Sequence, residues 1–185
     1  MTPPPGLPPT PSQTLGPFFG HALPYEGGGD IAPAGHPEAI TVHGHVRDGN
    51  GDPVPDALLE FWQPGTGFGR VATGPDGRWS LRTLPPAATR PYLSVCVLAR
   101  GLTHHLFTRV YVGEAGDDAL LSAVPRERRP TLLARPDGER AYRFDIHLQG
   151  EKETVFLDFD DAADAADAAD ADDIGDISGI GDSSG

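Results

Sequence analysis

Short apolar runs alternate with clusters of Gly, Pro, Asp and Asn through the middle of the chain. The clearest alternation sets Tyr142, Phe144, Ile146 and Leu148 against Arg143, Asp145 and His147. That period of two predicts a half-buried antiparallel strand. Ile40–Arg47 reads as a strand followed by the turn cluster Asp48-Gly49-Asn50-Gly51-Asp52-Pro53, and Leu58–Trp62 as a strand followed by a Gly-rich loop at Pro64–Gly69. Arg70–Thr73 and Arg78–Thr83 flank the hairpin signal Gly74-Pro75-Asp76-Gly77. Tyr92–Ala99 and His105–Val112 flank Arg100-Gly101-Leu102, and Thr154–Phe159 closes the series. A short helix is expected around Asp117–Val124. About eight short strands joined by tight turns predict an all-β fold, an antiparallel β-sandwich.

The flanks differ in composition. Residues 1–39 are Pro/Gly-rich without a sustained period and read as an extended N-terminal arm, residues 40–159 as the sandwich. Residues 160–185 repeat Ala-Ala-Asp and then mix Asp, Gly and Ser, which predicts an acidic disordered tail with too little apolar surface for a core. The 24 Gly and 20 Pro leave no room for a coiled coil, and no apolar run reaches the roughly 20 residues a bilayer span requires. The opening MTPPPGLPPTPSQT has neither the basic nor the apolar region of a secretory signal. Cys96 is the one cysteine, so an internal disulfide is excluded and a reducing, cytoplasmic setting is expected.

Charge changes the picture once it is divided along the chain. Of the 27 acids nine lie from Asp160 onward, and none of the 14 bases does, so the net charge of −13 becomes −4 for residues 1–159. That is a mildly acidic domain without the basic surface that nucleic acid requires.

Few residues advertise chemistry. His43 and His45 project from one strand face and could begin a metal site, but no third ligand adjoins them, and a solvated strand face is the plainer account. His104 and His105 are adjacent, so their rings point apart in a strand. Cys96 sits in an apolar run and reads as a buried small hydrophobe. Along His105–Val112, Leu106, Val110 and Val112 share the core face, while Phe107, Arg109 and Tyr111 share the other. An arginine between two aromatics suggests a covered surface, where its planar fork could take a carboxylate; an exposed salt bridge is the alternative. Thr10-Pro11-Ser12-Gln13-Thr14-Leu15-Gly16-Pro17-Phe18-Phe19 offers two aromatic anchors that cannot bury themselves, so this arm should pack on its own domain or on a partner.

The segments TPSQTLGPFF, GHVRDGNGDPVPDALLEFWQ, RPYLSVCVLARGL and AYRFDIHLQGEKETVFLDF resemble the intradiol ring-cleaving dioxygenases, over residues 10–159. The closing segment is most similar to the α chains of those members that are built from two homologous chains. The resemblance implies a sandwich fold and cleavage of protocatechuate between its hydroxyls, with O2, to 3-carboxy-cis,cis-muconate. It also implies an Fe(III) cofactor that two Tyr and two His of the β chain hold. A catalytic chain should carry His-x-His after Arg90-Pro91, where this one has Tyr92-Leu93-Ser94, and a ligand Tyr after Trp62-Gln63, where Pro64–Arg70 has none. The loop at 64–69 is also short for the family.

The resemblance therefore implies no catalytic residue and no metal ligand in this chain. It implies substrate-pocket roles for Thr14, Gly16 and Pro17, in the arm segment that approaches the β chain's iron, and for Arg109, which faces the substrate. The implied partners are an iron-bearing β subunit, an aromatic substrate, O2 and further αβ units, with no nucleic acid and no membrane. A stand-alone, non-catalytic β-sandwich binding module of the same ancestry is the alternative.

Overall fold

Every second side chain of β1 (Ile40–Arg47) is buried, with Ile40, Val42 and Val46 in the core and Thr41, His43, His45 and Arg47 facing outward. The computed structural model, which describes residues 13, 14, 16, 19–116 and 118–158, repeats this alternation in most of its longer strands. They are β2 (Leu58–Gln63), β3 (Gly67–Ala72), β4 (Arg78–Thr83), β5 (Tyr92–Leu98) and β6 (Leu106–Tyr111). Three short strands follow: β7 (Arg135–Pro136), β8 (Ala141–Arg143) and β9 (Ile146–His147). Among the described residues, helical turns are confined to α1 (Phe19–Ala22), α2 (Ala119–Ala123) and a 3-10 turn at Arg129–Leu132.

Two sheets form the sandwich. One runs β4-β1-β8-β7, with β9 also on β1; the other runs β3-β2-β5-β6, antiparallel throughout. Their inner faces supply Val42, Val46, Leu81 and Ile146 from one side and Leu59, Phe61, Leu93, Val95, Val97 and Val110 from the other, all 0 or 1 % exposed. Phe61 and Trp79 meet between the sheets with ring centroids 5.1 Å apart, a tilted contact that adds about 1 kcal/mol to their burial. Gln63 is buried at the rim of this core, accepting from the Thr83 hydroxyl at 2.7 Å and donating to the Leu84 carbonyl at 3.0 Å, so its amide is satisfied.

Three expectations need correction. The alternating segment 142–148 is two short strands rather than one; both run parallel to β1, and only β8 has an antiparallel neighbour, β7. The interruption has a local cause at Gly44: the Phe144 N–H donates to the His43 carbonyl at 2.7 Å, the Asp145 carboxylate accepts the His45 N–H at 3.0 Å, and the Phe144 carbonyl fills the space a Cβ on Gly44 would need. The Gly-rich loop at 64–69 is in fact a tight turn at Pro64-Gly65-Thr66, with Gly67 already paired to Gln63 in the β2–β3 hairpin. Thr154–Phe159 is not a strand over its described residues: Leu157 alone bridges to Phe107.

Residues 23–33, within the expected arm, bind both sheets. The Gly28 carbonyl accepts from the Arg70 N–H of β3 at 2.7 Å, and the Gly29 carbonyl from the Arg82 N–H of β4 at 2.7 Å. The Arg70 side chain donates to the Leu23 carbonyl and that of Arg82 to the Ala32 and Pro33 carbonyls. The expected sites at Thr10–Ser12, Leu15, Pro17 and Phe18, and the tail from Asp160, lie outside the described residues.

Candidate functional site

Pairing in the four-stranded sheet fixes what its outer face carries. Register places Phe68, Trp62, Ser94 and Arg109 in one row across β3, β2, β5 and β6, with Arg70, Glu60, Cys96 and Phe107 in the next. Trp62 is 52 % exposed and Phe68 42 %, so the row presents an open aromatic end and an arginine at the opposite edge. Glu60 and Arg70 are paired at 2.6 Å within the second row.

The arginine edge is covered by the chain itself. Tyr111 is fully buried against Leu121, Val124 and Leu132, which come from α2, the residue after it and the 3-10 turn. Asp118 makes this possible as the N-cap of α2, where Oδ1 accepts the Leu121 N–H at 2.9 Å and the Tyr111 hydroxyl at 2.6 Å. Arg109 completes the group: its Nη1 lies 3.4 Å from Asp118 Oδ2 and 3.4 Å from the Tyr111 hydroxyl, and its guanidinium stacks 3.8 Å above the Tyr92 ring. No acceptor among the described residues takes Nε or Nη2, and 23 % of the side chain is exposed.

The titrations follow from this packing. Burial, then the hydrogen bond to Asp118, pushes the Tyr111 hydroxyl up to about 12. Burial also works to raise Asp118, but the Tyr111 hydroxyl, the Leu121 N–H and Arg109 outweigh it and hold the carboxyl below its ordinary range. At neutral pH the group is therefore a neutral phenol between an arginine cation and a carboxylate.

Of the residues expected at a site, Arg109 occupies a structured position. Thr14 and Gly16 are exposed, and no hydrogen bond or ion pair joins them to Arg109. Pro17 lies outside the described residues. His43 and His45 share a face of β1, but each meets its own carboxylate, Asp137 at 3.2 Å and Asp145 at 3.4 Å. Among the described residues no three His, Cys, Asp or Glu side chains converge as a metal site would require. Cys96 is half-buried rather than fully buried, on the outer face beside Glu60; burial, then that carboxylate, pushes its thiol up to about 11. A cleft of about 640 Å³ opens elsewhere, among Arg128, Arg135, Arg143, Asp145, His147 and Lys152, and none of the expected site residues lines it.

Sequence reasoning placed Tyr111 beside Arg109 but missed its other two partners, Asp118 and Tyr92. The cap position immediately before Ala-Leu-Leu was the available signal for Asp118; nothing local marks Tyr92, which the β5–β6 register brings in.

The chain is 38 % identical to a protocatechuate 3,4-dioxygenase alpha chain of Burkholderia cepacia, over 80 % of this chain and 96 % of that one. It belongs to the protocatechuate 3,4-dioxygenase alpha-chain family. A second member, from Pseudomonas putida, is 37 % identical over 83 % of this chain and 98 % of its own. The dioxygenase domain of a dioxygenase–carbohydrate-binding fusion from Streptomyces sp. SirexAA-E has a similar structure, with a TM-score of 0.51 and 27 % identity over 66 % of this chain and 87 % of that one. No protein-family model matches the chain. Family membership makes the chain an intradiol dioxygenase alpha chain, part of an oxidoreductase class that works with non-haem Fe(III). No helix among the described residues is long and apolar enough to cross a membrane.

Proposed function

We propose that this chain acts as the α subunit of a two-chain enzyme that opens protocatechuate with O2 to 3-carboxy-cis,cis-muconate, and that it walls the substrate pocket of a homologous, iron-bearing β chain. Similarity along 96 and 98 % of the length of two α chains carries the proposal.

The residues of this chain do not fit the iron. Where the resemblance puts His-x-His, β5 has Tyr92 and Ser94, and Pro64–Arg70 holds no Tyr. The Arg109 guanidinium lies 3.8 Å over the ring of Tyr92, which stands at one of those positions, so a metal cation held there would meet a positive charge. The iron is accordingly assigned to the β chain, where it would activate the bound catecholate toward O2.

What this chain contributes is charge and shape. Nε and Nη2 of Arg109 form an open edge that suits a ring carboxylate in two-point contact. Trp62 and Phe68 supply apolar area for a neighbouring chain on the same sheet face. Thr14, Gly16 and Pro17 would reach the same pocket from the arm. Assembly into several αβ units, in the cytoplasm, completes the proposal.

The test is iron content and protocatechuate-dependent O2 uptake, for this chain alone and co-expressed with an iron-bearing β homologue. Iron and uptake only in the co-expressed sample are expected. Iron and uptake with this chain alone would overturn the division of labour.

A further inference from the structure

We infer that Asp118 is a positioning residue: a resident counter-ion that holds Arg109 ready and competes with the substrate's carboxylate for it. This rests on the proposed role of Arg109 in the pocket wall. The two oxygens of Asp118 are used unequally. Oδ1 is fixed by the Tyr111 hydroxyl at 2.6 Å and the Leu121 N–H at 2.9 Å, both much shorter than the contacts of Arg109 Nη1, 3.5 Å to Oδ1 and 3.4 Å to the Tyr111 hydroxyl. Oδ2 meets Arg109 Nη1 at 3.4 Å, longer than the roughly 2.8 Å of a closed charge-assisted hydrogen bond.

The carboxylate therefore stays anchored when the arginine moves, and the arginine is held loosely enough to move. The Tyr92 ring under the guanidinium limits that movement to sliding over an aromatic face, at 3.8 Å, without loss of its stacking partner. An incoming carboxylate takes the open Nε/Nη2 edge while Asp118 still shares Nη1. The negative charge of Asp118 opposes this binding, and so sets how tightly a carboxylate is gripped and how readily an anionic product leaves.

Two substitutions move this balance in opposite directions. Asp118→Asn keeps an acceptor for Tyr111 and Leu121 and is an equally good helix cap, but removes the charge facing Arg109. Tyr111→Phe removes the anchor from Oδ1 and with it the hydroxyl that takes Arg109 Nη1 at 3.4 Å, so Asp118 and Arg109 are left to each other and the pair tightens.

The experiment is anaerobic calorimetry on the assembled αβ enzyme with 4-hydroxybenzoate and with phenol, the same ring without a carboxylate, followed by KM for protocatechuate. Asp118→Asn is expected to lower the 4-hydroxybenzoate Kd about three- to tenfold and to leave phenol unchanged. Tyr111→Phe is expected to raise the 4-hydroxybenzoate Kd with phenol again unchanged. Arg109→Ala should abolish the preference for 4-hydroxybenzoate. If Arg109→Ala does so while Asp118→Asn leaves the Kd unchanged or weakens it, Asp118 is a helix cap alone and the inference is wrong. If Arg109→Ala preserves the preference, the pocket-wall reading of Arg109 fails instead.

Discussion

Gly44→Ala tests the strand geometry that carries His43 and His45. A Cβ at this position would stand 2.5 Å from the Phe144 carbonyl carbon and overlap its oxygen still more severely, and both are backbone atoms that no rotamer change can remove. The strands must part. Parting breaks the Phe144 N–H bond to the His43 carbonyl and the Asp145 bond to the His45 N–H, each worth about 1 kcal/mol. It also draws Phe144, 3 % exposed, partly out of the core; half of a full Phe truncation is about 2 kcal/mol. The expected loss is about 4 kcal/mol, a large share of the roughly 5–15 kcal/mol that holds a domain folded. Urea unfolding followed by tryptophan fluorescence measures it, since Trp79 lies in the same core. A loss below about 1 kcal/mol would falsify the account, because the close approach of Phe144 would then be dispensable.

Three further outcomes are expected. The Cys96 thiol, pushed up to about 11, should resist iodoacetamide at pH 8 in the folded chain and react promptly in urea, as read by intact mass; equal rates in both would show the thiol is not protected. Stability should fall in two stages on acidification: first below about pH 6.5, because burial depresses His147 and the unfolded chain binds a proton the folded one refuses, then below about pH 4, as the depressed carboxyls of Asp118 and Asp145 are protonated. Urea midpoints across pH 8 to 3 measure this, and His147→Gln should flatten the first stage alone. Deleting residues 160–185 should leave O2 uptake and αβ assembly unchanged, and lost activity would give the acidic segment a part in the enzyme.

Much of the sandwich was legible because its strands are half-buried and short, so that alternation and turn chemistry agree. Arg78–Thr83 matches its strand at both ends, and Ile40–Arg47 does as well. Direction was not legible. Tyr142 to Leu148 alternate as an antiparallel strand would, yet parallel and antiparallel neighbours bury alternate residues alike, and the crossover that decides between them is non-local. The candidate site was legible only in part. Arg109 stood out because a cation between aromatics is unusual on a strand, but its partners come from β5 and from the cap of α2, which only the folded register brings together. Of the two readings of Arg109, the salt bridge is present but largely covered rather than exposed, with Nη1 3.4 Å from Asp118 Oδ2.

The stitching by residues 28–32 has a consequence for how a second chain can attach. β3 and β4 are border strands of their sheets, and the same few residues take the Arg70 N–H of one and the Arg82 N–H and carbonyl of the other. At the other borders, β6 gives its Phe107 and Tyr111 carbonyls to the Leu157 and Ala134 N–H groups, and β7 is two residues long with a proline. Part of the backbone template for strand addition is thereby taken on each of these borders. A chain that meets the four-stranded sheet on its outer face reads side chains such as Trp62 and Phe68, and these can be redesigned without disturbing any ladder.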